Sequence, residues 1–152
     1  DPGEILPRDP ATVSIELSGT ATPFFDLLDP EQAEAAAMSE RPGELNTLSL
    51  DGLKLAVAGA LVTGNGRFVF DNDDLQTFDG FPRPKGAVTL NINGVNSLID
   101  KLIQMGLLPA EEAMGGRMML GMFATPVGDD MLTSTIEVND EGHVLANGQR
   151  LR

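Results

Sequence analysis

The sequence predicts an α+β fold, a curved and mainly antiparallel sheet with a two-helix hairpin packed on one face. Three observations carry that prediction. Apolar and polar residues alternate with period two along several segments, the connections between those segments are short, and helical spacing is concentrated in residues 95 to 123. Short β connections outnumber strand-helix-strand units, so antiparallel pairing with the helices gathered on one side follows.

Taken in order, "DPGEILPRDP" has three prolines in ten residues and can be neither helix nor central strand. Residues 1 to 11 therefore read as a linker from an upstream region, and 12 to 152 as one α+β domain. Val13, Ile15 and Leu17 alternate with Ser14, Glu16 and Ser18, the pattern of a strand with one buried face. Asp29-Pro30-Glu31 then places an N-cap, a first-turn proline and an acidic residue at the start of an Ala-rich surface helix.

Residues 44 to 71 give the strongest β signal. Leu48 and Leu50 share one parity while Leu53, Leu55 and Val57 share the other, so the phase changes at Asp51-Gly52. Asp-Gly suits a two-residue hairpin, but that would leave a first strand of barely five residues; a bulge inside one long strand, with the turn nearer Gly59, accounts for the pattern better. Gly64 and Gly66 then stand on the face of Val62, Phe68 and Phe70, where they mark strand curvature or a close approach. A polar loop precedes a further strand with Val88, Leu90 and Ile92 on one face.

Two helices follow. Val95, Leu98, Ile99, Leu102 and Ile103 form an apolar stripe, with Gly106 as the C-terminal cap. The second helix starts at Pro109, carries Glu111 and Glu112 in its first turn, and runs to about Phe123. The chain closes as two strands, with turns at 140 to 142 and at Asn147-Gly148.

Composition limits the function classes. A chain of 152 residues with 41% apolar residues can build a core, but its only aromatics are Phe, so Leu, Val, Ile, Ala and Met must fill it. The net charge of -13 repels phosphate backbones and anionic headgroups, which disfavours nucleic acid and peripheral membrane binding. No apolar run reaches the roughly 20 residues that span a bilayer as a helix. The absence of Cys excludes thiol catalysis and a Cys-ligated zinc site, and His143, the single histidine, reads as a solvated turn residue rather than the base of a nucleophilic triad, which leaves an enzyme as the third-ranked reading. The segment "DNDD", residues 71 to 74, lacks the Gly and distal Glu of an EF-hand loop and reads as a polar loop. No catalytic, cofactor or metal residue is expected.

The methionines are the remaining signal. Five of the seven fall between Met105 and Met122. Met114, Arg117, Met118 and Met122 recur at three- and four-residue steps, with Met119 and Phe123 on a neighbouring stripe. Methionine bends and fills irregular gaps, which suits it to an adaptable wall facing a lipid or a partner, and equally to a core poor in aromatics. Gly115, Gly116 and Gly121 cost the helix about 1 kcal/mol each relative to Ala, a penalty that close packing or a ligand surface would justify. The expectation is that Met105, Met114, Arg117, Met118, Met119, Met122 and Phe123 form an apolar ligand or partner surface, converging on an interior seam between helices and sheet.

The run "MGLLPAEEAMGGRMMLGMFATP" followed by "GDDMLTSTIEVNDEGHVLANGQRLR" resembles the C-terminal part of an uncharacterised alphaproteobacterial extracytoplasmic family, classed as a domain of unknown function. The resemblance implies a periplasmic or otherwise extracytoplasmic location and a longer exported protein of which this chain is the C-terminal part; it implies no activity. "LNTLSLDGLKLAVAGALVTGNGRFVFD" is similar to strand pairs of AsmA-type envelope proteins, whose β-grooves carry lipid. The expected function is a non-enzymatic envelope domain that binds an apolar ligand or lipid chain between curved sheet and Met-rich helix. The alternative is an interaction or scaffolding domain of a larger envelope protein, with that helix as docking surface or plain core.

Overall fold

The computed structural model describes residues 5–152; residues 1 to 4 of the expected linker lie outside the described residues. The elements are β1 (Thr12–Pro23), α1 (Pro30–Met38), β2 (Gly43–Val57), β3 (Ala60–Asp71), β4 (Arg83–Asn93), α2 (Val95–Gln104), α3 (Ala110–Phe123), β5 (Thr125–Gly128), β6 (Met131–Val138), β7 (Val144–Ala146) and β8 (Gln149–Arg150). All strands join one open sheet in the order β1-β2-β3-β4-β6-β7-β8, and β5 shares the outer edge of β6 with β7. Every pairing is antiparallel.

The phase change in β2 is a bulge. Leu50 pairs with Gly66 and Leu53 with Gly64, so Asp51 and Gly52 together oppose Asn65. The extra residue restores phase: Leu48, Leu50, Leu53 and Leu55 end on one face. The hairpin turn lies at Ala58-Gly59, with φ of 50° and 86°, the two left-handed residues that a tight twisted hairpin requires. A second irregularity in the β1–β2 register, between Thr20 and Ala21, leaves Asn46 unopposed. Across β3 and β4 the register runs without interruption, so Gly64 and Gly66 mark close approach: a Cβ on Gly66 would stand 2.6 Å from the Val88 Cα, and one on Gly64 2.5 Å from a Leu90 methyl.

Local chemistry sets the start of α1 and the end of α2. Asp29 caps α1 by accepting from the Glu31 N–H at 3.0 Å. α2 ends with Gly106 in the left-handed region at φ 69°, its N–H donating to Ile103 O while the Leu107 N–H donates to Leu102 O. The close of the chain has more strands than the sequence reading, which missed β5 and β8. β5 contains Pro126 and Gly128, residues that argue against strand in isolation, yet it sits at an edge where Pro is tolerated.

The fold has little interior. Among the described residues the buried apolar side chains are Ala36, Ala60, Ala113, Ala124, Val138 and Ala146, and no large side chain is fully buried. The expectation that Leu, Val, Ile, Ala and Met fill a core is therefore corrected: among the described residues Ala and one Val are buried, and no Leu, Ile or Met is. The chain exposes 9948 Å², about a third more than the roughly 7,400 Å² typical of a compact monomer of this mass. An open sheet with helices over only part of it cannot close around its own apolar residues.

Candidate functional site

The strand registers sort side chains cleanly between the two faces. Directly paired antiparallel residues point the same way, so each pairing extends a row across the sheet. Val13, Leu55, Val62, Ile92 and Leu132 form one row; Leu17, Leu50, Gly66, Val88 and Ile136 form another. Between them run Ile15, Leu53, Gly64, Leu90 and Ser134, and beyond them Gly19, Leu48, Phe68, Gly86 and Val138. Glu16, Glu44, Lys54, Arg67, Lys85 and Glu137 all fall in the opposite rows. One face is thus apolar and uncharged, and the other is polar.

The helical hairpin covers the β3–β6 side of that apolar face. α2 packs near β3, and the Ser134 hydroxyl, the polar group of its row, donates to Phe123 O at the end of α3. Towards β1 the face is open: Val13, Ile15 and Leu17 are 68%, 57% and 62% exposed, and Leu48 and Leu55 are each exposed as well. β1 is exposed along its whole length and its outer edge is unpaired in the sheet. At the far end, where Ala21 pairs with Leu45, the face runs into an open hollow of about 440 Å³ walled mainly by Pro23, Leu27 and Pro42, with Thr22 and Glu44 from the opposite face at its rim. From Val13 to Ala21 this surface extends about 27 Å at 3.3–3.4 Å per residue.

The methionine residues occupy a different place from the one expected. α3 packs inward through Ala113, with Ala124 buried just beyond its end, while Met114, Met118, Met119 and Met122 are 60–69% exposed and Phe123 is 37% exposed. Met105 is the half-buried C-cap residue of α2, off the α3 stripe. The interior seam is therefore not formed, and the small inward residues supply the reason: alanine lets α3 lie close, which turns the longer Met side chains outward. Nor do Gly115, Gly116 and Gly121 serve close packing, since a Cβ on each would meet nothing within 4 Å. Arg117 is half-buried and pins α3 to α2, donating to the Asp100 carboxylate at 2.6 Å and to Asn96 O at 3.4 Å.

Polar clusters elsewhere have structural partners. The Asp74 carboxylate accepts from the Thr77 hydroxyl at 2.7 Å and from the Gln76 and Thr77 N–H groups. The Thr77 hydroxyl above all, then its N–H, lowers its pKa against a partial desolvation. Arg83 bridges Asp71 and Asp74 at 3.1 and 3.6 Å, which ties the "DNDD" loop to the start of β4. His143 lies 3.1 Å from Glu141 in its turn. Among the described residues no group of three or more His, Asp or Glu is placed to hold a metal ion, and no helix is long and apolar enough to cross a membrane.

Sequence reading found the alternation of β1 and β2 but not its exposure. Chain order alone does not reveal it: β1 pairs with β2 alone, and that pairing is what leaves it at an edge of the sheet. Fold and surface together define a sheet domain that presents an uncharged apolar face, half roofed by helices. The chain belongs to the family described as "Uncharacterized protein conserved in bacteria (DUF2125)", whose model matches residues 1–148. No curated protein and no solved structure matches the chain.

Proposed function

We propose that this is a non-enzymatic domain whose open sheet face binds an apolar ligand, a lipid acyl chain in the first instance. The observation that carries the reading is the uncharged apolar surface of β1 and β2, left open by the helices and ending in the hollow at Ala21, Leu27 and Leu45. Its length of about 27 Å exceeds one leaflet's acyl chain, about 15 Å given a bilayer hydrocarbon core of about 30 Å. Each methylene taken from water contributes about 0.8 kcal/mol when fully buried, so even a half-covered chain is held measurably.

The ligand lies against the sheet, beside the helical hairpin, rather than under the methionine stripe. An envelope setting and a longer exported parent protein fit this role, as does the similarity of residues 45 to 71 to AsmA-type strand pairs. The separate resemblance of residues 105 to 126 and 128 to 152 to an alphaproteobacterial family is the basis for placing the protein in alphaproteobacteria. Native mass spectrometry of the gently purified chain, with organic extraction, tests the proposal. Lipid that co-purifies with wild type and is lost from Ile15→Glu supports it; a clean apo mass after reconstitution with phospholipid refutes it.

A further inference from the structure

We propose that the outer face of α3 is a docking surface for a basic amphipathic helix of another protein. The inner side of α3 is set by Ala113, Arg117 and Leu120, so Met114, Met118 and Met122, at successive four-residue steps, form an outward ridge with Gly115 and Met119 beside it. A helix that is apolar both inside and outside is the pattern of one covered on both sides. Among the described residues only the inner cover is supplied. Methionine is also the side chain that reshapes to fit an incoming helix.

The partner's chemistry follows from the hollow and the charge around it. Over Gly115 lies an open hollow of about 360 Å³ walled by Ala110, Glu111, Met114 and Met118. It is a shallow depression on the helix surface that seats one apolar side chain, and it opens beside the acidic first turn formed by Glu111 and Glu112. The one base of α3, Arg117, is engaged by Asp100. With a net charge of -13 behind it, this surface repels anionic lipid and acidic partners and attracts a helix whose apolar stripe is flanked by Lys or Arg. The site shares no residue with the β1–β2 surface, so either assignment can fail without the other.

The test uses the full chain and a synthetic helix of Leu and Lys with one central Trp. Because the chain has no Trp and no Tyr, the peptide's indole reports binding without background. The expected result is a saturable blue shift with wild type, weakened about tenfold or more by Gly115→Leu, which fills the depression, and by Met118→Gln. The same peptide with Glu for Lys should not bind. Gly115→Leu replaces a helical glycine by a better helix former, so circular dichroism should show an intact fold and exclude unfolding as the cause. No binding by wild type, equal binding by Gly115→Leu, or equal binding of the acidic peptide would overturn the proposal. So would phosphatidylserine vesicles that bind wild type and lose binding to Met118→Gln, since the surface would then be a lipid site.

Discussion

Asp130 holds the helical hairpin on the sheet, and replacing it gives a graded test of that role. Gly94 occupies the N-cap position of α2 with φ 75° and offers no side chain. The missing cap comes from the β5–β6 turn: the Asp130 carboxylate accepts from the Asn96 N–H at 2.9 Å, the Ser97 N–H at 2.9 Å and the Ser97 hydroxyl at 2.7 Å, while its carbonyl accepts from the Gly94 N–H. Loss of an N-cap costs about 0.5–2 kcal/mol, and loss of a charge at a helix N-terminus about 0.3–1 kcal/mol. Asp130→Asn keeps one acceptor oxygen and tolerates the φ of 47°, so we expect about 1 kcal/mol, or a fall in Tm of about 2–4 °C at this chain length. Asp130→Ala loses every side-chain acceptor and adds about 1 kcal/mol of left-handed strain, for a fall of about 5–10 °C.

Thermal melts at low ionic strength read both values, and pH separates charge from shape. Partial burial acts to raise the Asp130 pKa, but the Ser97 hydroxyl and the two N–H groups outweigh it and hold the carboxyl below its ordinary value. The folded pKa is thus the lower one. The stabilisation is complete above the unfolded value of about 3.9 and disappears as pH falls through the folded value. The gap between wild type and Asp130→Asn should be constant above about pH 5 and narrow below about pH 4. A gap that widens on acidification, or an Asp130→Ala variant as stable as Asp130→Asn, would refute the reasoning.

Two further predictions test how the sheet and helix are built. Gly66→Ala drives a Cβ into the backbone of β4 and should destabilise by about 1–3 kcal/mol, whereas Gly115→Ala meets open space and should stabilise by about 1 kcal/mol; denaturant titrations give the two signs. Deleting Asp51 removes the bulge yet keeps Leu48, Leu50, Leu53 and Leu55 on one face, now by simple alternation, so the chain should still fold with a cooperative melt. Deleting Lys54 instead turns Leu53 onto the polar face, costing about 1.5–3 kcal/mol, and equal stability of the two deletions would disprove the register.

Much of the fold was legible because it rests on local chemistry. The alternation in β1 to β4, the Asp29-Pro30 start, the Gly106 stop and the left-handed Asn147-Gly148 turn each depend on residues within a few positions of one another. The Asp51-Gly52 phase change could be read as a bulge because only a bulge returns all the leucines to one side. β5 was not legible, since Pro126 and Gly128 suppress strand propensity and the pairing with β6 alone establishes it. Nor was the cap from Asp130, which arrives from 34 positions away. Helical spacing revealed the methionine stripe but not its direction. That was decided by Ala113, whose small side chain makes the inner contact and leaves the sulfurs outside.

The central claim is that an apolar chain lies on the open face formed by β1 and β2. A photoactivatable fatty acid with a diazirine in its tail, cross-linked to the 152-residue chain and mapped by mass spectrometry, tests it most directly. The account predicts adducts at Val13, Ile15, Leu17, Leu48 and Leu55 that excess unlabelled lipid suppresses. Adducts confined to Met114, Met118 and Met122, or spread evenly over the polar face at Ser14, Lys54 and Thr63, would contradict it.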